Sequence, residues 1–159
     1  MAELKELVVD ASVVVKWFTS EIERDIALEL RQAHISKRVR LVAPDLMMYE
    51  VSNALRYNTG FNLYDKAQAI EVLFSMYVRI MPPTAETLTL ATQLSEKYDI
   101  SIYDAIYLSM AEAEGLSFVT ADKRLYAEMK ENRRVLLLSS NQVRELCLGV
   151  GSDQKKDNF

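Results

Sequence analysis

The strongest constraint on this chain is the form of its strands: short unbroken apolar runs, each followed by a longer helical stretch. Leu7 to Val9, Ile80-Met81 and Val135 to Leu138 are such runs, and Val39 to Ala43 and Leu116 to Val119 are each interrupted once, by Arg40 and Ser117. An unbroken run suits a strand covered on both faces, whereas alternation of apolar and polar residues suits a sheet with one wet face. Between the runs lie a short helical turn from Val13 to Phe18 and helices predicted from Glu21 to about Ser36, Asp45 to Asn58, Leu63 to Tyr77, Thr84 to Tyr98, Ser101 to Glu114, Lys123 to Lys130 and Gln142 to Leu148. Asp45 after Pro44 is a helix start, and Thr59-Gly60 and Gly115 are helix stops. Strand–helix alternation from end to end predicts an α/β fold with a parallel sheet covered on both faces. A length of 159 residues suits one domain. We assign it to residues 1–148 and read residues 149–159 as a polar, frayed tail.

Charge and rare residues exclude several classes. The formal net charge is -4, from 19 Lys and Arg against 23 Asp and Glu. Such a chain does not attract nucleic acid through its overall field; bound metal and local basic patches would have to do so. The single cysteine, Cys147, forms neither an internal disulfide nor a structural zinc site, and reads as a small hydrophobe on the last helix. The single histidine, His34, rules out catalysis by a histidine pair and reads as a solvated residue on an exposed helix face. Four glycines, at positions 60, 115, 149 and 151, leave no phosphate-cradling loop. The stretch Leu7 to Val15 is interrupted by Asp10 and Ser12, so no membrane span or signal peptide is found and a cytoplasmic location is expected.

Four acids carry the functional reading. In a parallel sheet, ligands bind beyond the carboxyl ends of the strands. Asp10 directly follows Leu7-Val8-Val9, and Asp122 follows Phe118-Val119 in Thr120-Ala121-Asp122. Each has an alternative role as the N-cap of the next helix. Glu50 falls in an apolar helical arc with Leu46, Met47, Ala54 and Tyr57, where an unpaired carboxylate costs several kcal/mol. Asn53 lies one turn further on. Asp104 opens the most apolar helix, with Tyr107, Leu108 and Ala111 on its side. A capping box, Ser101-x-x-Asp104, is the alternative there. Four carboxylates converging at one end of a sheet would repel one another and take up protons unless a cation sat among them. All-oxygen ligation selects Mg²⁺ or Mn²⁺, as one or two ions.

Taken together, these segments resemble a known family. Asp10-Ala11-Ser12 after an apolar strand, Glu50 in Tyr-Glu-Val-Ser-Asn-Ala-Leu, Asp104 in Tyr-Asp-Ala-Ile-Tyr-Leu, and Thr120-Ala121-Asp122 resemble the PIN-domain signature. Their order and spacing are similar to those of VapC-type toxins, over about residues 5 to 148. The resemblance implies a three-layer α/β/α sandwich with about five parallel strands. It also implies a Mg²⁺- or Mn²⁺-dependent endoribonuclease, with Asp10, Glu50, Asp104 and Asp122 as the catalytic and metal-binding acids. Ser12 and Thr120, with Asn53, are the supporting polar residues. Lys16, Lys123 and Arg124 are candidate contacts to the RNA backbone. The family further implies an antitoxin partner and a homodimer, through a helical hairpin bearing Phe61, Leu63, Tyr64, Leu73, Phe74 and Tyr77. Trp17 reads as core in preference to a base-stacking platform.

Competing readings differ in class. A dehalogenase-type phosphatase needs a second Asp two residues after the first, where this chain has Ser12. A receiver domain needs paired acids after the first strand, which do not stand out. An RNA-processing PIN nuclease without antitoxin, and a non-catalytic PIN-fold binding module, stay open at this point.

Overall fold

The strands form where the apolar runs predict them, and all pair in parallel. In the computed structural model, which describes residues 3–149, the strands are β1 (Lys5–Val9), β2 (Val39–Pro44), β3 (Arg79–Met81), β4 (Ser117–Thr120) and β5 (Val135–Leu137). Their order across the sheet is β3-β2-β1-β4-β5. Leu7 pairs with Leu41 on one side, and Val8 pairs with Phe118 on the other. β1 is thus the central strand, and Val8 and Val9 are wholly buried. The chain fills one side of the sheet through β2 and β3, then returns to fill the other through β4 and β5. The strand order therefore reverses beside β1, and the crevice that such a reversal opens lies at the carboxyl ends of β1 and β4. Helices on both faces complete the expected α/β/α layers.

The helices are α1 (Ala11–Val15), α2 (Arg24–Ile35), α3 (Leu46–Tyr57), α4 (Leu63–Ser75), α5 (Ala85–Tyr98), α6 (Ile102–Glu114), α7 (Lys123–Glu128) and α8 (Asn141–Leu148). Every residue of α6 from Ala105 to Met110 is buried, and so is Ala111. A helix apolar on all sides must be covered on all sides, and α6 lies between the sheet and α5. Two sequence expectations need correction. First, α2 begins at Arg24 and not at Glu21, because Glu23 adopts a left-handed backbone with φ 67° and breaks the run. Ile22 lies outside the helix and is 84% exposed, while the buried face is Ile26, Ala27, Leu30 and Ala33. Second, the buried line of α3 is Met47, Val51 and Leu55. It is turned by about 100° from the arc centred on Glu50, the angular step between successive residues of an α-helix. Tyr57 is exposed and Glu50 is half-buried at the margin of the core, not within it.

His34 also departs from expectation. It is half-buried: its Nδ1 accepts from the Leu41 N–H at 3.1 Å, and its Nε2 lies 2.7 Å from the Met76 carbonyl oxygen. An Nδ1 that accepts leaves Nε2 as the protonated nitrogen, so the neutral ring donates to Met76. One side chain thus ties α2, β2 and the end of α4 together. Cys147 is buried on α8, and Trp17 is core, with Nε1 donating to the Ala27 carbonyl at 3.0 Å. No helix among the described residues is long and apolar enough to cross a membrane. The tail assigned to residues 149–159 falls outside the described residues beyond Gly149.

Replacing His34 by Ala leaves the Leu41 N–H and the Met76 carbonyl without this partner. Urea unfolding should show a loss of about 1–3 kcal/mol. His34→Ala unfolding at the wild-type midpoint would show that the ring is mere surface.

Candidate acidic active site

β1 ends by placing Asp10 in the crevice. The Asp10 amide donates to the Val119 carbonyl at 3.0 Å, which fastens the residue to β4. Asp10 is the N-cap of α1, yet its side chain makes no capping bond. Its Oδ2 instead accepts from the Ser12 hydroxyl at 2.6 Å and the Thr120 hydroxyl at 2.7 Å. Each hydroxyl is aimed by a backbone amide behind it. Ala121 N–H donates to Ser12 Oγ at 3.0 Å, and Asp122 N–H donates to Thr120 Oγ1 at 3.1 Å. The capping explanation therefore fails for Asp10, and Ser12 and Thr120 both bond its carboxylate.

The other acids arrive on helices. Asp122 does cap α7: its Oδ1 accepts from the amides of Arg124 at 2.9 Å and Leu125 at 3.0 Å. Those bonds fix the carboxylate and use a single oxygen. Asp104 sits in the first turn of α6, where Ser101 Oγ accepts from its amide at 3.1 Å and donates to its Oδ2 at 2.8 Å. Glu50, on α3, accepts through Oε1 from the Tyr107 hydroxyl at 2.6 Å. The sequence reading did not single out Tyr107, although the signal was available. A tyrosine three residues after Asp104, on a helix apolar all round, must find a partner for its hydroxyl when buried.

Asp10 is only 6% exposed. Burial raises its pKa, the Ser12 and Thr120 hydroxyls lower it, and the nearby charges of Asp104 and Asp122 raise it again, for a net rise. Glu50 is raised by burial, lowered by the Tyr107 hydroxyl, and raised by Asp10 and Asp104. Asp104 and Asp122 thus lie in the field of Asp10, and Asp10 and Asp104 in that of Glu50. The ion pairs found among the described residues engage Glu6, Glu21 and Glu23, not these acids. Uncompensated carboxylate oxygens in a shared crevice are the donor set of a hard cation. Among the described residues, no three His, Cys, Asp or Glu side chains are gathered closely enough to form a complete cage.

The basic candidates differ from one another. Lys16 is not free: its side chain is 12% exposed, and Nζ donates to Glu21 Oε2 at 3.2 Å and to the Ile22 carbonyl at 2.8 Å. It closes the loop between α1 and α2, contrary to the expected backbone contact. Lys123 is 70% exposed, with Nζ 3.7 Å from Glu23 Oε1, and Arg124 is exposed beside it. Asn53 is exposed on α3, one turn beyond Glu50.

The model of the PIN domain family matches residues 7–131, a span that holds all four acids. Ribonuclease VapC3 of Pyrobaculum aerophilum is 32% identical over 124 residues, covering 76% of this chain and 92% of that protein. A crystal structure of a Pyrobaculum aerophilum protein superposes with a TM-score of 0.64 at 21% identity, covering 92% of this chain and 99% of the other. A toxin–antitoxin complex from Klebsiella pneumoniae gives 0.62 at 16% identity, covering 83% and 97%.

Raised carboxyl pKa values carry a stability cost of known sign. The folded chain holds protons that the unfolded chain has already released, so stability of the metal-free protein falls as pH rises above the ordinary carboxyl range. Asp10→Asn removes the largest buried charge. In chelator at pH 7.5 it should raise Tm by about 2–4 °C, the shift that ~1 kcal/mol gives a chain of this size. The gain should shrink at low pH, where Asp10 is already protonated. Differential scanning fluorimetry across pH checks this, and a Tm lowered at pH 7.5 would refute it.

Proposed function

The chain belongs to the PIN-domain family, and on that footing we propose that it is a metal-dependent endoribonuclease acting as the toxin of a VapBC-type toxin–antitoxin pair. The observation that carries this reading is the Asp10 carboxylate. It is buried at the end of the central strand, gripped by two hydroxyls, unpaired by any cationic side chain in the ion pairs found, and surrounded by further acids.

Asp10, Glu50, Asp104 and Asp122 would hold Mg²⁺ or Mn²⁺. When bound, such an ion supplies Lewis-acid polarisation of the scissile phosphate and activation of water at neutral pH. The chain's own part is to preorganise. Ser12 and Thr120 commit Oδ2 of Asp10 to hydrogen bonds and leave Oδ1 for ligation. Ser101 restrains Asp104, and the α7 amides restrain Asp122. Rigid carboxylates cost no reorganisation when charge develops on the phosphate. Lys123 and Arg124 are exposed directly after Asp122, and we assign them contacts to the RNA backbone. RNA as substrate makes the cytoplasm the place of action.

The partner reading rests on the hairpin of α3 and α4. Tyr57, Leu63, Tyr64, Phe74 and Tyr77 are all more than half exposed. An apolar surface of this kind marks an interaction face. We assign it to a homodimer and to an antitoxin segment, in keeping with the toxin–antitoxin complex whose fold this chain shares.

Purified protein should cut RNA with Mg²⁺ or Mn²⁺ and stop when the metal is chelated. Asp10→Asn, Glu50→Gln and Asp104→Asn should each lower kcat/KM by about 100-fold or more, ~2.7 kcal/mol of transition-state stabilisation. Cleavage that persists in chelator and in Asp104→Asn would refute the assignment. For the dimer, Phe74→Glu combined with Leu63→Glu should convert the protein to monomer in analytical ultracentrifugation. A double variant that sediments as the wild type does would remove the hairpin from the interface.

A further inference from the structure

We propose that Tyr107 is a positioning residue that fixes the Glu50 carboxylate relative to Asp10. The ring is wholly buried and stacked on Phe118, with centroids 5.6 Å apart and planes 14° from parallel. Phe118 lies in β4, opposite Val8 of β1. The ring is therefore referenced to the two strands whose ends carry Asp10 and Thr120. From that mount the hydroxyl donates to Glu50 Oε1 at 2.6 Å. That bond links α6, mounted on the sheet, to the side chain that α3 contributes.

The arrangement answers a physical need. Glu50 is half-buried, repelled by Asp10 and Asp104, and carried on a flexible side chain. Without a fixed donor, the carboxylate gains by turning out into water. A short hydrogen bond to a charged acceptor is among the stronger ones, and its donor here sits on an immobile ring. With Oε1 held, Oε2 is left for a cation. Stacking alone would be served equally well by phenylalanine, so the hydroxyl is explained by its bond to Glu50 and not by the core.

This inference rests on the reading of Glu50 as a cation ligand, and Mn²⁺ binding without RNA separates the two. Free Mn²⁺ is counted by electron paramagnetic resonance. Tyr107→Phe keeps the ring and should keep the fold, checked by circular dichroism and by Tm in chelator. It should weaken Mn²⁺ binding about 10-fold or more, as loss of a residue that orients a ligand does. Val143→Ala opens a cavity under α8 and leaves the ring and its hydroxyl untouched; it should lower Tm while leaving Mn²⁺ affinity near that of the wild type. In the Glu50→Gln background, Tyr107→Phe should change affinity no further. Wild-type affinity in Tyr107→Phe, or an equal loss in Val143→Ala at the same drop in Tm, would overturn the proposal. Asp10→Asn is the separate control: if it binds Mn²⁺ as the wild type does, the cation site itself is wrong.

Discussion

Burying the Asp10 carboxylate at the end of the central strand is the constraint around which the rest is arranged. A charge in that position is unfavourable, and the fold places it there because β1 is the innermost strand and ends one residue before it. Local chemistry answers part of the cost. Two hydroxyls donate to one carboxylate oxygen, and both are oriented by the turn that follows β4. Among the described residues the remainder is left unanswered, since Asp104 and Asp122 add charge of the same sign. A carboxylate that is precisely held but not neutralised is what a transient hard cation requires. It is also a source of instability in the metal-free state, the usual exchange of stability for function at an active site.

The parallel sheet explains why so few residues suffice. Strand order reverses beside β1, so the ends of β1 and β4 open into one crevice without a dedicated loop. Asp10 and Thr120 come from those two strand ends, and Asp122 follows within the turn after β4. Glu50 and Asp104 are brought in by the helices α3 and α6. α6 has the most demanding position, since it is covered by the sheet on one side and by α5 on the other. Tyr107 is the one polar side chain on its inward face that reaches the acids, and its hydroxyl pairs with Glu50. Core packing and the placement of an acid therefore meet on a single residue.

The strands were legible because unbroken apolar runs admit few other interpretations, and parallel pairing followed from the helices between them. Asp10, Ser12, Thr120 and Asp122 were legible for the same reason: positions just past a strand are fixed by the strand. Residues placed by helix phase or by loop shape were harder to read. Glu50 was singled out on an arc that is rotated from the real buried line of Met47, Val51 and Leu55, because helix phase is not fixed by a few apolar residues. Lys16 looked free because nothing in its own neighbourhood announces the loop that brings Glu21 and the Ile22 carbonyl to it. His34 looked solvated because its partners, Leu41 and Met76, come from other elements. Tyr107 was hidden by the hydrophobicity of its helix.

The central claim is that the crevice around Asp10 receives a hard divalent cation. An anomalous-difference map from crystals grown with Mn²⁺ measures this directly. The account predicts a peak at Mn–oxygen bonding distance, roughly 2.2 Å, from Asp10 Oδ1, with the Ser12 and Thr120 hydroxyls still on Oδ2. A fully occupied Mn²⁺ peak elsewhere on the protein, with the Asp10 carboxylate bare, would contradict it.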